Sequence, residues 1–235
     1  MKVTAIVVAG GKSSRMKLYK GEKNKPYINL LGKPVVSYSL SILEKNSRIS
    51  EIILVVRRED KKYCEKEIIE KFRFKKIKKL CFAGEFRQDS VYNGLKSIDV
   101  YPDIVLIQDA ARPFLTSTMI NKSVEAARDF KAAVVAVPVI DTVKYSTKGK
   151  FITSTLNRNK IWLVQTPQVF EYRLIIKAYE KAYKERFYGT DDSSLVERMG
   201  RTVKIIMGSY ENIKITTRLD IVIAEAILKW GRVHF

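Results

Sequence analysis

The length, composition and charge of the chain narrow its class before any motif is considered. With 235 residues, 46% of them hydrophobic, the sequence is long enough to bury a sizeable core as one globular domain, residues 1–235. Its two cysteines and single histidine cannot supply a Cys/His zinc site or a histidine-based catalytic triad in the body of the chain, which excludes many hydrolases. The formal net charge is +19, so anionic partners are expected.

The sequence also indicates where in the cell the protein is expected. It contains no apolar run that approaches the roughly 20 residues of a membrane-spanning helix. Its N-terminus enters an apolar strand within a few residues and shows no signal-peptide core. We therefore expect a cytoplasmic protein with no membrane partner.

The first predicted strand, residues 3–8, runs into a loop that carries the features of a phosphate-binding site. Gly10 and Gly11 follow the strand, and their missing side chains let backbone N–H groups approach a ligand closely. Positive charge then follows at Lys12, Arg15, Lys17, Lys20, Lys23 and Lys25. This pattern favours a nucleoside triphosphate as the ligand. The spacing fits neither a P-loop nor a dinucleotide fingerprint, so an ordinary strand-to-helix turn with solvated lysines stays open on the glycines alone.

The rest of the chain alternates strands and helices. Further strands are predicted at residues 52–56, 77–82, 103–107, 132–137 and 203–207. Helices are predicted from Pro34 onward, within 57–79, around 91–98, and at 117–130, 171–186 and 191–199. Such alternation indicates an α/β fold with a doubly wound, mostly parallel sheet.

The segment from residue 57 to residue 79 is rich in lysine and arginine, which raises the question of a nucleic-acid site. Within it, Cys64, Ile68 and Phe72 recur at four-residue spacing. An amphipathic surface helix with a lysine-rich outer face explains this pattern better than a nucleic-acid site does.

Residues 141–156 interrupt the alternation and predict a two-stranded hairpin. Val143, Tyr145, Phe151 and Ile152 give it an apolar character. An isolated hairpin is only marginally stable, so we expect it to pack on a second subunit or across the active site.

The last predicted helix has a regular apolar stripe. Its members share the spacing of one helix face: Leu219, Val222, Ile223, Ala226, Ile227 and Trp230. This spacing predicts that the stripe is part of the core.

Charged and hydroxyl side chains follow several of the predicted strands, where ligands bind in open α/β sheets. They are Arg15, Lys25, Asp109, Arg112, Asp141, Thr142, Thr190, Asp191 and Lys214. Cations with a few carboxylates suit phosphoryl or nucleotidyl transfer, which needs positioning and charge stabilisation more than a proton shuttle. A divalent cation such as Mg²⁺ would bridge the triphosphate, and Asp109 is the natural residue to hold it.

Several short segments occur in an order that is typical of one family. They are AGG (9–11), SRM (14–16), KP (25–26), RQDSV (87–91), DAARP (109–113), PVIDTVK (138–144), NRNKIW (157–162), QTPQ (165–168), TD (190–191) and NIKIT (212–216). Together they resemble the 2-C-methyl-D-erythritol 4-phosphate cytidylyltransferase family of the non-mevalonate isoprenoid pathway. The resemblance covers nearly the whole chain, and QTPQ combined with DAARP is highly specific.

The resemblance implies roles for individual residues. Nucleotide binding would use Ala9, Gly10, Gly11, Gly84, Glu85, Ser90 and Asp109. Catalysis would use Arg15, Lys25 and Lys214, with Mg²⁺ held by Asp109. The methylerythritol phosphate pocket would use Arg112, Asp141, Thr142, Arg158, Thr166, Thr190 and Lys214. The resemblance also implies a Rossmann-like nucleotidyltransferase fold and a homodimer in which residues 141–156 form a β-arm that reaches the partner.

Two other functions stay open. A pentitol-phosphate cytidylyltransferase, such as the ribitol 5-phosphate enzyme, has the same fold, nucleotide and reaction. A nucleic-acid-binding protein is suggested by the net charge and predicts an affinity that falls steeply with salt. We expect CTP and methylerythritol phosphate, and not nucleic acid, to be the partners.

Overall fold

The computed structural model describes residues 1–11 and 24–234, with side chains described as far as residue 231. The strands are β1 (Val3–Val8), β2 (Asn29–Leu30), β3 (Lys33–Pro34), β4 (Glu51–Val56), β5 (Ile77–Phe82), β6 (Ile104–Asp109), β7 (Ala132–Pro138), β8 (Lys144–Tyr145), β9 (Ser154–Thr155), β10 (Trp162–Glu171) and β11 (Lys204–Met207). The helices are α1 (Val35–Lys45), α2 (Lys61–Tyr63), α3 (Arg87–Lys96), α4 (Ser117–Phe130), α5 (Tyr172–Lys184), α6 (Asp192–Glu197) and α7 (Arg218–His234). Short 3₁₀ turns lie at Lys25–Tyr27, Arg58–Asp60 and Arg158–Lys160.

Seven of the described strands form one sheet in the order β11-β7-β10-β6-β1-β4-β5. Every neighbouring pair is parallel except those of β10, which runs antiparallel to both β6 and β7. The chain builds outward from β1 through β4 to β5 and then returns to place β6 on the other side of β1. This switch opens a crevice at the carboxyl ends of β1 and β6, and the predicted doubly wound, mostly parallel sheet is confirmed.

Helices cover both faces of the sheet, as continuous apolar strands require. On one face, Leu40 of α1 and Ile120 of α4 pack on the buried side chains of the central strands. On the other, Val91 and Leu95 of α3 pack with Tyr179 of α5. The two cores hold β1 and β6 in place from both sides, so the loops at their carboxyl ends start from fixed points.

The basic segment after β4 is helical but irregular. After a 3₁₀ turn, α2 passes into π-helical turns over Cys64–Glu70. Cys64 and Ile68 are buried, as the four-residue spacing predicts, and Phe72 is partly buried. The predicted amphipathic surface helix is therefore confirmed in its burial pattern.

The prediction that the stripe of α7 is core is wrong for the described chain. Leu219, Val222 and Trp230 are more than 60% exposed. The helix instead packs through Ala224, beside Ile221, on the small cluster around the β2–β3 hairpin, so its buried face is rotated from the predicted one. Within residues 1–11 and 24–234, each helix is too short or too polar to cross a bilayer.

The hairpin predicted at residues 141–156 is confirmed as a local structure. Its strands β8 and β9 are two residues each and pair antiparallel, with Lys144 opposite Thr155. Phe151 is 79% exposed and Ile152 is 66% exposed. The hairpin therefore projects from the described chain with its apolar side chains uncovered.

Candidate active site

A cavity of about 490 Å³ opens at the carboxyl ends of β1, β5 and β6, beside the point where the strand order switches. Its described lining consists of Val8, Gly10, Gly11, Lys25, Pro26, Gly84, Glu85, Phe86, Arg87, Ser90, Asp109, Ala111, Lys214 and Ile215. It gathers predicted residues that lie far apart in the sequence, namely Gly10, Gly11, Lys25, Gly84, Glu85, Ser90, Asp109 and Lys214. The fold therefore brings the predicted nucleotide site together with two of its three predicted catalytic residues.

Two glycines at the cavity are required by the close approach of neighbouring backbone. A Cβ atom on Gly10 would lie 2.1 Å from the Cβ of Ala83, and one on Gly84 would lie 2.3 Å from the Cβ of Asp89. Gly11 differs, because a Cβ there would meet no described atom within 4 Å. As far as the described residues extend, the Gly11 backbone is thus open to the approach of a ligand.

Ala9 and Ser90 support the cavity from its edges. Ala9 is buried, and its N–H donates to the carbonyl of Val55 at 2.8 Å, which extends the sheet by one bond beyond β1. Ser90 lines the cavity, where its hydroxyl accepts from the N–H of Gly84 at 3.2 Å. Ala9 therefore lies outside the described lining and supports it, and Ser90 fixes the Gly84 turn.

Asp109 ends β6 and lies in the wall of the cavity, where it is 7% exposed. Lys214 Nζ donates to Asp109 Oδ2 at 2.5 Å, and Arg87 Nε donates to Oδ1 at 3.0 Å. Burial by itself would raise the pKa of Asp109, but Arg87 and Lys214 outweigh it and hold that pKa well below its usual range. The carboxylate is therefore ionised at neutral pH and orients the amine of Lys214.

Arg87 lines the cavity although it is not among the predicted site residues. It opens α3, and its Nη2 donates to Asp192 Oδ2 at 2.8 Å while its Nε contacts Asp109. Burial would lower the pKa of Arg87, but Asp192 and Asp109 raise it well above its ordinary value. The signal available in the sequence was an arginine that opens a helix directly after the Gly84 break.

Lys25 begins a 3₁₀ turn at the mouth of the cavity, and its neighbours tie that turn to the helix region after β4. Asn24 Nδ2 donates to Asp60 Oδ2 at 3.0 Å, and the Cys64 thiol donates to the Tyr27 hydroxyl oxygen at 3.1 Å. Tyr27 is buried, which fixes the turn on the core. The Lys25 backbone is therefore held between two anchored residues.

The predicted catalytic residue Arg15 lies in segment 12–23, outside the described residues. The loop lysines of that segment are Lys12, Lys17, Lys20 and Lys23. The roles assigned to them stay predictions.

The QTPQ segment lies in the middle of β10, where the register with β7 shifts between Val164 and Gln168, and it holds the chain that presents Lys214. The Asn212 side chain donates to Gln165 Oε1 at 3.1 Å and to the Thr166 carbonyl at 3.0 Å. Asn212 is fully buried. Because Asn212 lies two residues before Lys214, these bonds fix the approach of Lys214 to the cavity.

Arg112 and Thr166, both predicted for the acceptor pocket, lie behind the described cavity lining. The Thr166 hydroxyl accepts from the backbone N–H of Asp109 at 3.1 Å, and Arg112 Nη1 donates to the carbonyl of Asn212 at 2.6 Å. Burial lowers the pKa of Arg112 despite the nearby carboxylate of Asp109. In the described chain, both residues thus support Asp109 and the Lys214 segment.

The remaining predicted acceptor residues are not in the described cavity lining. Asp141, Thr142, Arg158 and Thr190 are all exposed. Arg158 Nη1 donates to the carbonyl of Ile140 at 2.7 Å, so its side chain turns back along the base of the hairpin. The fold of a single chain therefore does not bring these four residues into the described lining.

The carboxylates of the cavity bear on metal binding. Asp109 and Glu85 are the carboxylates in the described lining. Across the described ranges, no group of three or more His, Cys, Asp or Glu side chains is placed to hold a metal ion without help. A lone buried carboxylate with an exposed neighbour suits Mg²⁺, which is usually held by one or two carboxylates together with substrate phosphates.

Comparison with protein families gives one assignment over almost the whole chain. Residues 3–230 match the family model described as 2-C-methyl-D-erythritol 4-phosphate cytidylyltransferase. A protein of that name from Clostridioides difficile is 48% identical over 225 residues, covering 96% of this chain and 93% of the relative. One from Caldanaerobacter subterraneus is 47% identical over 229 residues, covering 97% of this chain and all of the relative.

Solved structures agree with the sequence relatives. The crystal structure of 4-diphosphocytidyl-2C-methyl-D-erythritol synthase from Anaerococcus prevotii superimposes with a TM-score of 0.86 at 35% identity, covering 97% of this chain and 96% of that one. The Francisella tularensis 2-C-methyl-D-erythritol 4-phosphate cytidylyltransferase gives a TM-score of 0.80 at 29% identity, with coverage of 96% and 99%. Each of these superpositions covers nearly the whole of both chains.

Proposed function

The chain belongs to the 2-C-methyl-D-erythritol 4-phosphate cytidylyltransferase family, and on that premise we propose that it transfers the cytidylyl group of CTP to 2-C-methyl-D-erythritol 4-phosphate. An oxygen of the acceptor phosphate attacks the α-phosphorus of CTP. The bond from that phosphorus to the oxygen bridging the β-phosphate breaks, and pyrophosphate leaves with the electron pair. The products are 4-diphosphocytidyl-2-C-methyl-D-erythritol and pyrophosphate.

The observation that carries the proposal is the charge of the cavity. Its described lining combines Lys25, Lys214 and Arg87 with the ionised Asp109 and contains no histidine or cysteine. An acceptor phosphate is already ionised near neutral pH, so the reaction needs cations at the phosphorus and no general base. Such a lining suits transfer to a phosphate better than transfer to a neutral hydroxyl group.

The residues divide into three roles in this proposal. Lys25, with Arg15, faces the triphosphate and stabilises the negative charge that is redistributed in the transition state. Lys214, oriented by Asp109, lies where the triphosphate and the acceptor phosphate meet. Gly11 lets the triphosphate approach the backbone, and the turn from Gly84 to Ser90 receives the nucleoside.

The acceptor would be held mainly by side chains outside the described cavity lining. These are Arg112, Asp141, Thr142, Arg158, Thr166 and Thr190, with Lys214 shared between the two substrates. Arg158 can form a bidentate contact with a phosphate, and the hydroxyls suit a polyol. This division predicts that acceptor affinity and nucleotide affinity respond to different substitutions.

We propose Mg²⁺ as the divalent cation, held by Asp109 together with phosphate oxygens of CTP. A carboxylate has about four lone-pair positions, so the contacts of Asp109 with Arg87 and Lys214 leave acceptor capacity. When bound, the ion would neutralise phosphate charge and orient the leaving pyrophosphate. Removing divalent ions with a chelator should abolish turnover, and adding Mg²⁺ should restore it.

We also propose a homodimer joined through the arm, residues 141–156. The apolar side chains Phe151 and Ile152 are exposed in the described chain, and soluble proteins usually bury such patches against a partner. In this arrangement, each arm and the 3₁₀ turn that follows it place Thr142 and Arg158 near the cavity of the partner. Sedimentation at working concentration should give a dimer, and replacing residues 144–154 with a short turn should give a monomer.

Pyrophosphate release from CTP tests the proposed reaction. We expect release with methylerythritol phosphate and Mg²⁺ and much less with ribitol 5-phosphate as the acceptor. Preference for ribitol 5-phosphate would assign the chain to the pentitol-phosphate reaction. Retention of nucleic acid at moderate salt, together with no turnover of CTP, would support the nucleic-acid alternative.

We also propose a cytoplasmic location for the protein. Fractionation of cells that express the chain should recover it with cytoplasmic markers. Recovery with membranes after a salt wash would contradict this placement.

A further inference from the structure

We propose that Arg87 is a positioning residue, which sets Asp109 and through it Lys214, and that Arg87 is itself held in place by the buried Asp192. This inference rests on the proposed function, because it concerns how the cations of that site are aimed. No part of it requires Arg87 to contact a substrate.

The geometry of Arg87 is that of a bridge. Its Nε donates to Asp109 Oδ1 at 3.0 Å and its Nη2 donates to Asp192 Oδ2 at 2.8 Å. A guanidinium group is planar and its N–H directions are fixed, so two contacts with two carboxylates define its plane. Asp109 gives its other oxygen to Lys214 Nζ at 2.5 Å. A continuous chain of alternating charge thus runs from Asp192 to Lys214.

Asp192 anchors this series of contacts. It is 1% exposed, and its Oδ1 accepts from the Tyr179 hydroxyl at 2.5 Å. Its backbone N–H donates to Gln168 Oε1 at 3.1 Å, which ties it to β10. Asp192 is not in the described cavity lining, so any effect it has on the reaction must pass through a neighbour.

Because Asp109 and Asp192 are buried, the loss of their contact with Arg87 is costly. Asp109 is 7% exposed, and an arginine that pairs two buried carboxylates cannot be replaced by water without a large penalty. Among the described residues, loss of Arg87 would leave Asp192 as a buried charge with no ion-pair partner, and would leave Lys214 as the one ion-pair partner of Asp109. Asp109 could then turn about its side-chain bonds, and the Lys214 amine would lose its fixed direction.

Four variants test the chain of contacts: Arg87→Gln, Arg87→Lys, Asp192→Asn and the double variant Arg87→Gln/Asp192→Asn. Arg198→Gln is the matched control, because Arg198 Nε also donates to a carboxylate, Glu185 Oε2 at 2.6 Å, but Arg198 is not in the described cavity lining. For each variant, kcat, the KM of CTP, the KM of the acceptor and the Tm are measured. Crystal structures of the unsubstituted chain and of Arg87→Gln supply a readout that does not depend on turnover.

We expect Arg87→Gln to lower kcat by roughly a hundredfold with less than about a threefold change in either KM. Arg87→Lys should recover part of that loss, since a point charge can reach one carboxylate but cannot bridge two. Asp192→Asn should lower kcat by about tenfold, and in the double variant it should add almost nothing to Arg87→Gln. The Lys214–Asp109 contact should be lost in the Arg87→Gln structure, and Arg198→Gln should behave like the unsubstituted chain.

Other results overturn the inference. A raised KM of CTP at normal kcat in Arg87→Gln would make Arg87 a direct nucleotide contact. Additive losses in the double variant would show that Asp192 acts independently of Arg87. If Arg87→Gln does not fold, normal kcat in both Arg87→Lys and Asp192→Asn overturns it. Absence of turnover in the unsubstituted chain refutes the proposed function, whereas an unchanged Lys214–Asp109 contact in the Arg87→Gln structure refutes the positioning role.

Discussion

The cavity and the arm differ in how firmly the chain itself holds their polar side chains. At the cavity, Asp109 is bonded to two cations, and one of those is bonded to a further buried carboxylate. At the arm, Thr142 and Arg158 are exposed, and the strands of the hairpin are two residues each. One chain therefore suffices to build a cation-lined cavity, but it leaves Thr142 and Arg158 outside the described lining of that cavity.

This difference predicts that the two substrates are bound in different ways. A nucleotide pocket that is preorganised within one chain should bind CTP in nearly the same way whatever the arm contacts. Residues on an exposed hairpin gain a fixed position only when another surface covers them, so acceptor recognition should depend on assembly. Substitutions in the cavity and in the arm should therefore change different kinetic constants.

Lys25→Ala should lower kcat by on the order of a hundredfold or more, with a smaller change in the KM of CTP. The reason is that, in the proposed reaction, its charge faces the phosphorus where negative charge is redistributed. Steady-state kinetics on Lys25→Ala and on the matched control Lys33→Ala, which changes an exposed lysine outside the described cavity lining, provide the measurement. A near-normal kcat in Lys25→Ala would transfer the role to a neighbour such as Lys23.

Arg158→Lys should raise the KM of the acceptor by roughly tenfold and leave the KM of CTP unchanged. A lysine keeps the charge but cannot form the bidentate contact with a phosphate that an arginine forms. The control is Arg128→Lys, at an exposed arginine of α4 that pairs with Asp129. An unchanged acceptor constant with a weakened CTP constant would mean that the two pockets are interchanged.

Mixed dimers test whether a site takes residues from both chains. Lys25→Ala chains refolded together with Arg158→Ala chains should regain about a quarter of normal activity, because half of randomly paired dimers are mixed and each has one intact site of two. Lys25→Ala mixed with Lys214→Ala should regain almost none, since both lysines line the cavity of the same chain. Equal recovery in the two mixtures would contradict the proposal that each site combines the cavity of one chain with Arg158 of the other.

A smaller effect is expected on the stability of the protein at alkaline pH. It involves Cys64, whose thiol contacts Tyr27 in the turn that begins at Lys25. Burial raises the pKa of Cys64 from its ordinary value near 9 to about 11. The folded state therefore holds this proton more tightly, so its stabilising contribution is complete below pH 9 and is lost as the pH rises toward 11. The free energy of unfolding should fall in this range by at most about 1.4 kcal/mol per pH unit from this group.

Denaturant titrations between pH 8 and pH 11 measure this slope. Cys64→Ala should show a shallower fall over that range than the unsubstituted chain. Cys81→Ala serves as a comparison at a half-buried cysteine on β5. The same slope in Cys64→Ala and in the unsubstituted chain would assign the pH dependence to other groups.

The strands and helices of the sheet could be predicted from sequence because buried parallel strands are continuous apolar runs. The predicted strands at residues 3–8 and 77–82 and the helix at 117–130 have the bounds seen in the structure. The α7 stripe could not be placed by the same reasoning. Periodicity shows which side chains share a helix face, but which face the chain covers depends on where the β2–β3 hairpin and Ile215 lie.

The site shows a similar limit. The glycines, Asp109 and Lys214 stand out because they follow strands, and the cavity unites them. Arg87 and Asp192 are 105 residues apart, and a charged residue at the start of a helix usually indicates a solvated end. Their pairing depends on α3 and α6 beginning on the same side of the sheet, which no local pattern specifies.

Gly10 and Gly11 are adjacent glycines, but substitutions at the two positions should have different consequences. At Gly10, any side chain collides with Ala83, so every substitution removes the folded protein along with its activity. At Gly11, a side chain would meet no atom of the described residues within 4 Å, so alanine or serine should yield a folded chain whose fault lies only in admitting the triphosphate. In a library of random variants sorted once for folding and once for turnover, Gly10 would be invariant in both pools and Gly11 in the second alone. An inhibitor pressed against either glycine would therefore leave no resistance by substitution of that glycine, at Gly10 because the fold is lost and at Gly11 because turnover is lost.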